Sequence, residues 1–452
     1  GELEKSTGIQ RHLTALSRAS LSAPMQLMIS NGLITQTVDV FDYGCGRGDD
    51  VKGLTEIGLK CQGWDPHFAN ENPIVTAGIV NLGFVVNVIE DPAERVEAIQ
   101  RAFGLAKIAM VVSVMLHSKD RPGKPYLDGF LTSRNTFQKY FSQEEFKDYI
   151  EGVLGQDAFM LGPGIALVFA DKEAEQRFLL SRHRSSNVAR RLLSARLSPK
   201  TPRVHREQRV RIRKASKAER EFEDLRPTLE LLWSQTLDLG RFPESFEVTN
   251  IVDIQKKISL NRAKRLARTH FDLRLLDAAA QTRADDIKLF FVARQFMKKA
   301  PYKELDLRLK TDIKHFFGDH KTANQEAIKL LLESANPDAI RDACEKATSD
   351  GIGWLEENSH SLQLHCSLVE RLPTVLRAYV TCGLILWDNV SDFQLIKIHV
   401  QSGKLTLLQY SDFDSSAIPL LTKRIKINIP KLDYDVFEYD ESTFPPPPLL
   451  FK

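Results

Sequence analysis

The chain predicts an α/β protein in which a mostly parallel sheet is closed by an antiparallel hairpin and followed by a helical domain and a small mixed α/β unit. Three observations predict it. Short apolar strands alternate with amphipathic helices between residues 38 and 114. Two apolar runs flank the turn Gly162-Pro163-Gly164. From residue 221 onward, apolar residues recur first at helical spacing and then in strand-like alternation.

The first strand, 38–43, runs directly into Gly44-Cys45-Gly46-Arg47-Gly48, and an amphipathic helix is expected at 50–57. A second strand, 61–64, ends at Asp65; a buried strand at 79–82, a helix at 92–105 and a further buried strand at 108–114 follow. Strands and helices alternating at this length imply parallel strands covered on both faces. Only residues 66–77 separate Asp65 from the next strand, close to the minimum for a parallel crossover, so the usual third strand and its helix are expected to be reduced or missing. The two runs at 158–161 and 165–170 read as an antiparallel hairpin.

Residues 182–220 contain Pro199 and Pro202, lose apolar periodicity after Leu197, and read as an exposed connector turning helical near 215–225. Helices are expected around 229–237, 258–276, 287–297, 313–317 and 327–332. A helix at 367–379 then precedes alternating segments at 394–400, 405–409 and 425–429, and Pro445 to Pro448 form a polyproline surface strap. The expected domains are 1–181 with an N-terminal helical extension, the connector 182–220, a helical domain 221–350 and a strand-rich unit 351–452.

At 452 residues, 42% hydrophobic and 27% charged, the chain has the composition of a globular protein of two or three domains, which excludes disordered, collagenous and disulfide-scaffold classes. Its five cysteines are far apart and form no C-x-x-C pair, so neither a disulfide framework nor a metal site is expected. Apolar runs reach only about ten residues, and the charged N-terminal stretch has no signal-peptide character, so a cytoplasmic location without membrane partners is expected. The net charge of +3 is unevenly spread: residues 182–220 carry fourteen Lys or Arg against two acids, a local +12, between bodies at −6 and −3. That asymmetry points to a polyanion partner.

Asp42-Tyr43-Gly44-Cys45-Gly46-Arg47-Gly48 fits the D-x-G-x-G-x-G pattern that follows the first strand of class I methyltransferases using S-adenosylmethionine. Glycines let the backbone turn tightly against a cofactor, and the Asp42 carboxylate suits a cationic amino group. By itself this pattern serves NAD equally well, or a bare strand-to-helix turn. Asp65, placed to meet ribose hydroxyls, and the terminal hairpin favour a Rossmann-like class I methyltransferase sheet, with Asp42, Gly44, Gly46, Gly48 and Asp65 as cofactor residues. Trp64, His67 and Phe68 offer either an apolar face for adenine or simple core packing.

The longer phrases Phe41-Asp-Tyr-Gly-Cys-Gly-Arg-Gly-Asp-Asp50, Gly63-Trp-Asp-Pro-His67, Val80-Asn-Leu-Gly-Phe-Val-Val-Asn-Val-Ile-Glu-Asp-Pro-Ala-Glu-Arg95 and Thr136-Phe-Gln-Lys-Tyr140 resemble the bacterial family of DNA phosphorothioation-associated methyltransferases. The resemblance continues through Asp312-Ile-Lys-His-Phe-Phe-Gly318 and Tyr410-Ser-Asp-Phe-Asp414. It implies a partner of a DNA sulfur-modification and defence system.

Asn81-Leu82-Gly83-Phe84 falls where DNA amino-methyltransferases place Asn-Pro-Pro-Tyr, so Asn81 is a candidate acceptor for an exocyclic amine and Phe84 a platform for a flipped base. Both prolines are absent, and an ordinary strand end explains the segment as well. Asn87 and Glu90 sit on the following loop, with Glu90 either a general base or the start of the helix that Asp91 caps. Arg134, Lys139 and Tyr140 suit phosphate and base contacts, or a solvated helix over buried Phe137 and Phe141. Arg206, Arg209, Arg211, Arg213 and Lys214 of the connector are expected to neutralise phosphates, with a second basic patch at Lys256, Lys257, Arg262, Lys264, Arg265 and Arg268.

The expected function is methyl transfer from S-adenosylmethionine to nucleic acid, with DNA favoured over RNA. The alternatives are a tRNA methyltransferase and a non-catalytic nucleic-acid-binding subunit that keeps the fold.

Overall fold

The computed structural model describes residues 9, 11–14, 20–117, 123–195, 217–249, 251–297, 302–356, 358–387 and 392–439. The connector residues Arg206, Arg209, Arg211, Arg213 and Lys214, and the strap expected at Pro445 to Pro448, lie outside them.

A short 3-10 turn, Arg11–Thr14, and helix α1 (Ala23–Ser30) lead into β1 (Val40–Tyr43), α2 (Asp49–Glu56), β2 (Cys61–Trp64), β3 (Ala77–Gly83), α3 (Pro92–Leu105) and β4 (Ala106–Ser113). Short strands β5 (Lys124–Tyr126), β6 (Gly129–Leu131) and β7 (Phe137–Gln138) precede α4 (Gln143–Leu154), β8 (Ala158–Gly162), β9 (Ile165–Phe169) and α5 (Lys172–His183). The main sheet has the order β2-β1-β3-β4-β9-β8. Its first four strands are parallel, β9 runs antiparallel to β4 and β8 antiparallel to β9, so the hairpin closes one edge. No strand forms between β2 and β3, and β2 is the opposite edge. The expectation of a missing third strand therefore holds: the linking segment is too short to carry a strand and a covering helix.

Both faces of this sheet are buried, as parallel strands require. Val80, Leu82, Met110 and Val112 pack with Ile99 and Ala102 of α3 and with Phe146 and Ile150 of α4. On alternate positions Ile79, Val111 and Leu167 are equally buried, and Phe159 and Phe169 meet Phe178 of α5 at 6.3 and 5.3 Å. Helix α3 begins where the sequence placed it, because Asp91 accepts a hydrogen bond from Ala93 N and Pro92 needs no donor at the first helical position.

Helices α6 (Val188–Ala195), α7 (Lys217–Leu239), α8 (Ile251–Lys257), α9 (Leu260–His270), α10 (Leu273–Arg294), α11 (Leu307–Phe317) and α12 (His320–Ser334) follow. The chain then forms α13 (Pro337–Ser349), β10 (Trp354–Leu355), β11 (Ser361–His365), α14 (Thr374–Gly383), β12 (Leu395–His399), β13 (Lys404–Ser411), β14 (Leu420–Asn428) and β15 (Asp433–Glu438). The helix expected at 367–379 is instead a 3-10 segment, Cys366–Arg371, followed by α14, since Pro373 holds the residue before it extended and interrupts the backbone ladder.

Two compact units result. One comprises Gly1–Phe178, Ala293–Leu305 and Leu331–Lys452; the other comprises Leu179–Val292 and Asp306–Leu330. The first holds a second six-stranded sheet, β10 to β15 in chain order and antiparallel throughout. Helix α13 belongs to it, because Ile340, Cys344 and Ala347 are buried against Leu362, Ile396 and Ile398. A boundary drawn along the sequence at 350 separates this helix from the sheet it packs on. The second unit is helical, and its core includes Trp233 stacked on Phe271 at 5.0 Å. Buried Arg241 there is bound by both carboxylate oxygens of Glu247, at 2.7 Å each, and by Asp312 at 2.6 Å.

No helix among the described residues is long and apolar enough to cross a membrane.

Candidate functional site

The glycine loop connects β1 to α2 through three left-handed residues: Gly44, Gly46 and Gly48 have φ of 87°, 53° and 78°. Residues with a Cβ adopt such angles only at a cost, which explains glycine at every second position. Gly44 is doubly constrained, since a Cβ there would lie 2.4 Å from Val85 Cγ2. The loop is tied to the tip of β2: the amides of Gly44 and Cys45 donate to Trp64 O at 2.7 and 3.1 Å. Gly46 N donates to Asp65 Oδ2 at 3.0 Å.

Asp65 therefore organises the loop. Its other oxygen accepts from His67 N and Phe68 N, both at 2.9 Å, which uses three of a carboxylate's roughly four acceptor positions. The acceptor position that remains is compatible with one ribose hydroxyl. Cys45, inside the loop, is held as a neutral thiol: burial first, then the charges of Asp42 and Asp65, push it up to about 12.

Asp42 is buried at the C-terminal end of β1, where Asn81 of the adjacent strand β3 donates Nδ2 to Asp42 Oδ1 at 2.8 Å. Asn81 is only 2% exposed, and its Oδ1 is buried with no hydrogen-bond partner among the described residues. Just beyond β3, Phe84 has a φ of 59°, a conformation that costs a non-glycine residue about 1–2 kcal/mol. Its amide donates to Ser113 O at 2.9 Å, holding it at the strand end.

These elements enclose a cleft of about 780 Å³, with Asp42 and Asn81 on its floor and Trp64, His67, Phe68 and Phe84 among its walls. That is within the range of small-molecule sites. The N-terminal segment, which carries no readable motif, closes one side. Arg11 Nε binds Glu90 Oε2 at 2.8 Å, and its two Nη atoms grip both oxygens of Glu94 at 2.5 and 2.7 Å. His12 stacks on His67 at 4.2 Å. Sequence reasoning missed both residues; an arginine and a histidine without periodicity left no signal.

The ion pair bears directly on Glu90. Burial would raise its carboxyl, but the Arg11 hydrogen bond and charge outweigh that and hold it below the usual carboxylate range. A general base works best with a pKa near the operating pH, so this geometry suits an anchor for the N-terminal segment.

Other sequence candidates fall elsewhere. Asn87 is buried outside the cleft lining, donating Nδ2 to Gln138 Oε1 at 2.8 Å. The 124–138 segment is a three-stranded sheet, not a helix, because the turns at Leu127 and Asn135, both with positive φ, fold it into hairpins. Phe137 and Phe141 are fully buried, as the pattern suggested. Arg134 is exposed at the turn between β6 and β7. Lys139, offered as a phosphate ligand, lies 3.3 Å from Asp128 and 3.1 Å from Glu145. Asp128 is also bound by buried Arg95 at 2.6 Å, and it stays below the carboxylate range because Arg95 and Lys139 outweigh its burial. Tyr140 packs on Phe130 at 6.0 Å. Arg95, Lys139, Asp128 and Glu145 match one another in charge, and none of Arg134, Lys139 and Tyr140 lines the cleft.

The sheet, with parallel β2-β1-β3-β4 and an antiparallel hairpin at one edge, is a Rossmann-like α/β sheet short of one strand. No protein-family model and no curated protein matches the chain. Among solved structures it is similar to Burkholderia thailandensis 1,6-didemethyltoxoflavin-N1-methyltransferase, at 12% identity and TM-score 0.25 over 34% of this chain and 93% of that one. It is similar to a SAM dependent methyltransferase from Aquifex aeolicus at 17% identity and TM-score 0.25, over 35% and 93%. Magnesium protoporphyrin IX methyltransferase from Synechocystis matches at 15% identity and TM-score 0.23, over 32% and 75%. These likenesses cover about a third of the chain, and the fold assignment rests on the strand order and the hairpin instead.

Proposed function

We propose that the protein is an S-adenosylmethionine-dependent methyltransferase acting on nucleic acid, DNA in preference to RNA, as a partner of a bacterial DNA phosphorothioation and defence system. The observation that carries the cofactor reading is the left-handed glycine loop beside a buried carboxylate, Asp42, on the floor of the cleft. The residues suit that cofactor. Asp42 would meet its cationic amino group, Asp65 a ribose hydroxyl, and Trp64 with Phe68 the adenine ring. When bound, the cofactor supplies an electrophilic methyl group. The chain's own contribution is positioning: Phe84, locked in a left-handed conformation at the end of β3, presents a ring to the acceptor, and the N-terminal segment excludes water from one side. With Glu90 paired to Arg11, no proton transfer is assigned to it.

The nucleic-acid acceptor and the phosphorothioation link are supported by the family resemblance and by the +12 connector. A second reading, a nucleic-acid-binding subunit that retains the fold without transfer, is favoured by the engagement of both Asn81 and Glu90 with other residues. Transfer of a labelled methyl group to DNA with and without phosphorothioates and to total RNA, alongside calorimetry with cofactor and its demethylated product, separates these readings. Transfer to DNA supports the first; transfer confined to RNA moves the acceptor to tRNA or another RNA. Cofactor binding without transfer supports the second, and a folded protein that binds neither compound overturns the cofactor site.

A further inference from the structure

Helix α9, Leu-Asn-Arg-Ala-Lys-Arg-Leu-Ala-Arg-Thr-His, contains four Lys or Arg and no acid. Its apolar side is fully used: Ala263, Leu266 and Ala267 are buried in the cores that contain Leu229, Leu232 and Trp233 of α7. Ser259, in the two-residue turn after α8, caps the helix by accepting from Arg262 N at 3.3 Å. Arg262 is matched by Glu221 at 2.6 Å.

The remaining cations face outward. Asn261, Arg265 and Arg268 are exposed and lie on one stripe at helical spacing, with Lys264 beside them and exposed Lys256 and Lys257 at the end of α8. Among the described residues, no carboxylate lies within ion-pair distance of Lys257, Lys264 or Arg265. Arg268 rests its guanidinium over the Phe242 ring at 4.7 Å. A merely solvated helix face mixes signs, because like charges three or four residues apart cost a few tenths of a kcal/mol per pair. Lys257, Lys264 and Arg265 keep their mutual repulsion with no ion pair among the described residues to offset it.

We propose that the outward stripe of α9, with the lysines ending α8, docks on the phosphate backbone of duplex nucleic acid. The proposal rests on the nucleic-acid reading above and assigns a contact surface to residues that do not line the cleft. An α-helix brings cations round to one side every turn, about 5.4 Å along its axis, and fits a major groove about 12 Å wide, while each strand offers a charge about every 3.4 Å. Arginine and asparagine on the same stripe are also residue types that donate to base edges.

The test is fluorescence anisotropy of the full chain on a labelled 20-base-pair duplex across a salt series. The variants are the triple Lys257→Gln/Lys264→Gln/Arg265→Gln and, as a charge-matched control on α11 and α12, Lys314→Gln/Lys321→Gln/Lys329→Gln. The α9 triple should bind at least tenfold more weakly at low salt and lower the slope of log affinity against log salt by about 2–3, at about 0.9 per lost contact. The control should stay within twofold, and cofactor affinity should not change in either. A parental slope in the α9 triple overturns this proposal and leaves the nucleic-acid reading standing. A parent that binds no duplex also overturns this proposal, as does α9-dependent binding to anionic vesicles without binding to duplex, while the labelled-methyl transfer to DNA and RNA decides the nucleic-acid reading separately.

Discussion

Asn81 donates its side-chain amide to the Asp42 carboxylate at 2.8 Å, joining the ends of two adjacent parallel strands beneath the glycine loop. The pair couples the acid offered to the cofactor with the residue offered to the acceptor. Replacing Asp42 with Asn removes the charge, and cofactor affinity should fall about ten- to hundredfold, in keeping with about 1.5–3 kcal/mol for a hydrogen bond to a charged group. Asn81→Ala keeps the carboxylate but frees its orientation, so a smaller fall is expected. Calorimetry on both variants checks the order; an unchanged affinity in Asp42→Asn removes that residue from the cofactor site.

The three loop glycines should respond differently. Gly48→Ala meets open space and suffers only its left-handed φ, a loss of about 1 kcal/mol in urea unfolding. Gly44→Ala should lose more, because its Cβ also collides with Val85. Gly46→Val should abolish cofactor binding while the chain remains folded, and parental affinity in that variant would show the loop to be a structural turn.

If Glu90 were the general base, Glu90→Gln would lower the transfer rate about 10²–10⁴-fold. Its pairing with Arg11 leads us to expect a loss below tenfold, with Glu94 still holding the guanidinium. The pH–rate profile of the variant should keep the parental shape; loss of its acidic limb would restore Glu90 as the base.

His399 of β12 supplies a pH dependence of stability. Burial, and then the charges of Lys397, Lys426 and Lys404, lower it from its ordinary 6.5 to about 4. The unfolded chain therefore takes up this proton first as pH falls. The stabilising contribution is complete above pH 6.5 and is lost progressively between 6.5 and 4. Urea titrations over that window should show declining stability, and His399→Gln should flatten the decline. Parallel curves for the two proteins would assign it to other groups.

Much of the site was legible because its chemistry is local in sequence. The glycines of the loop are fixed by the turn itself, Asp65 by the end of the next short strand, and strands β2 and β3 and helix α3 follow from apolar runs and from the Asp91-Pro92 start. The fate of Asn81, Glu90 and Lys139 was not legible, since each is decided by a partner distant in sequence or by a charge balance across a hairpin.

The sequence by itself determined the sheet, its antiparallel edge, its missing strand and the left-handed loop, because short continuous apolar runs, crossover length and glycine freedom act within a few residues. Only the tertiary structure decided that Asp65 braces the loop, that Arg11 and His12 cover the cleft, and that α13 joins the second sheet. Those outcomes depend on hydrogen bonds, ion pairs and apolar burial between segments whose sequences carry no trace of one another.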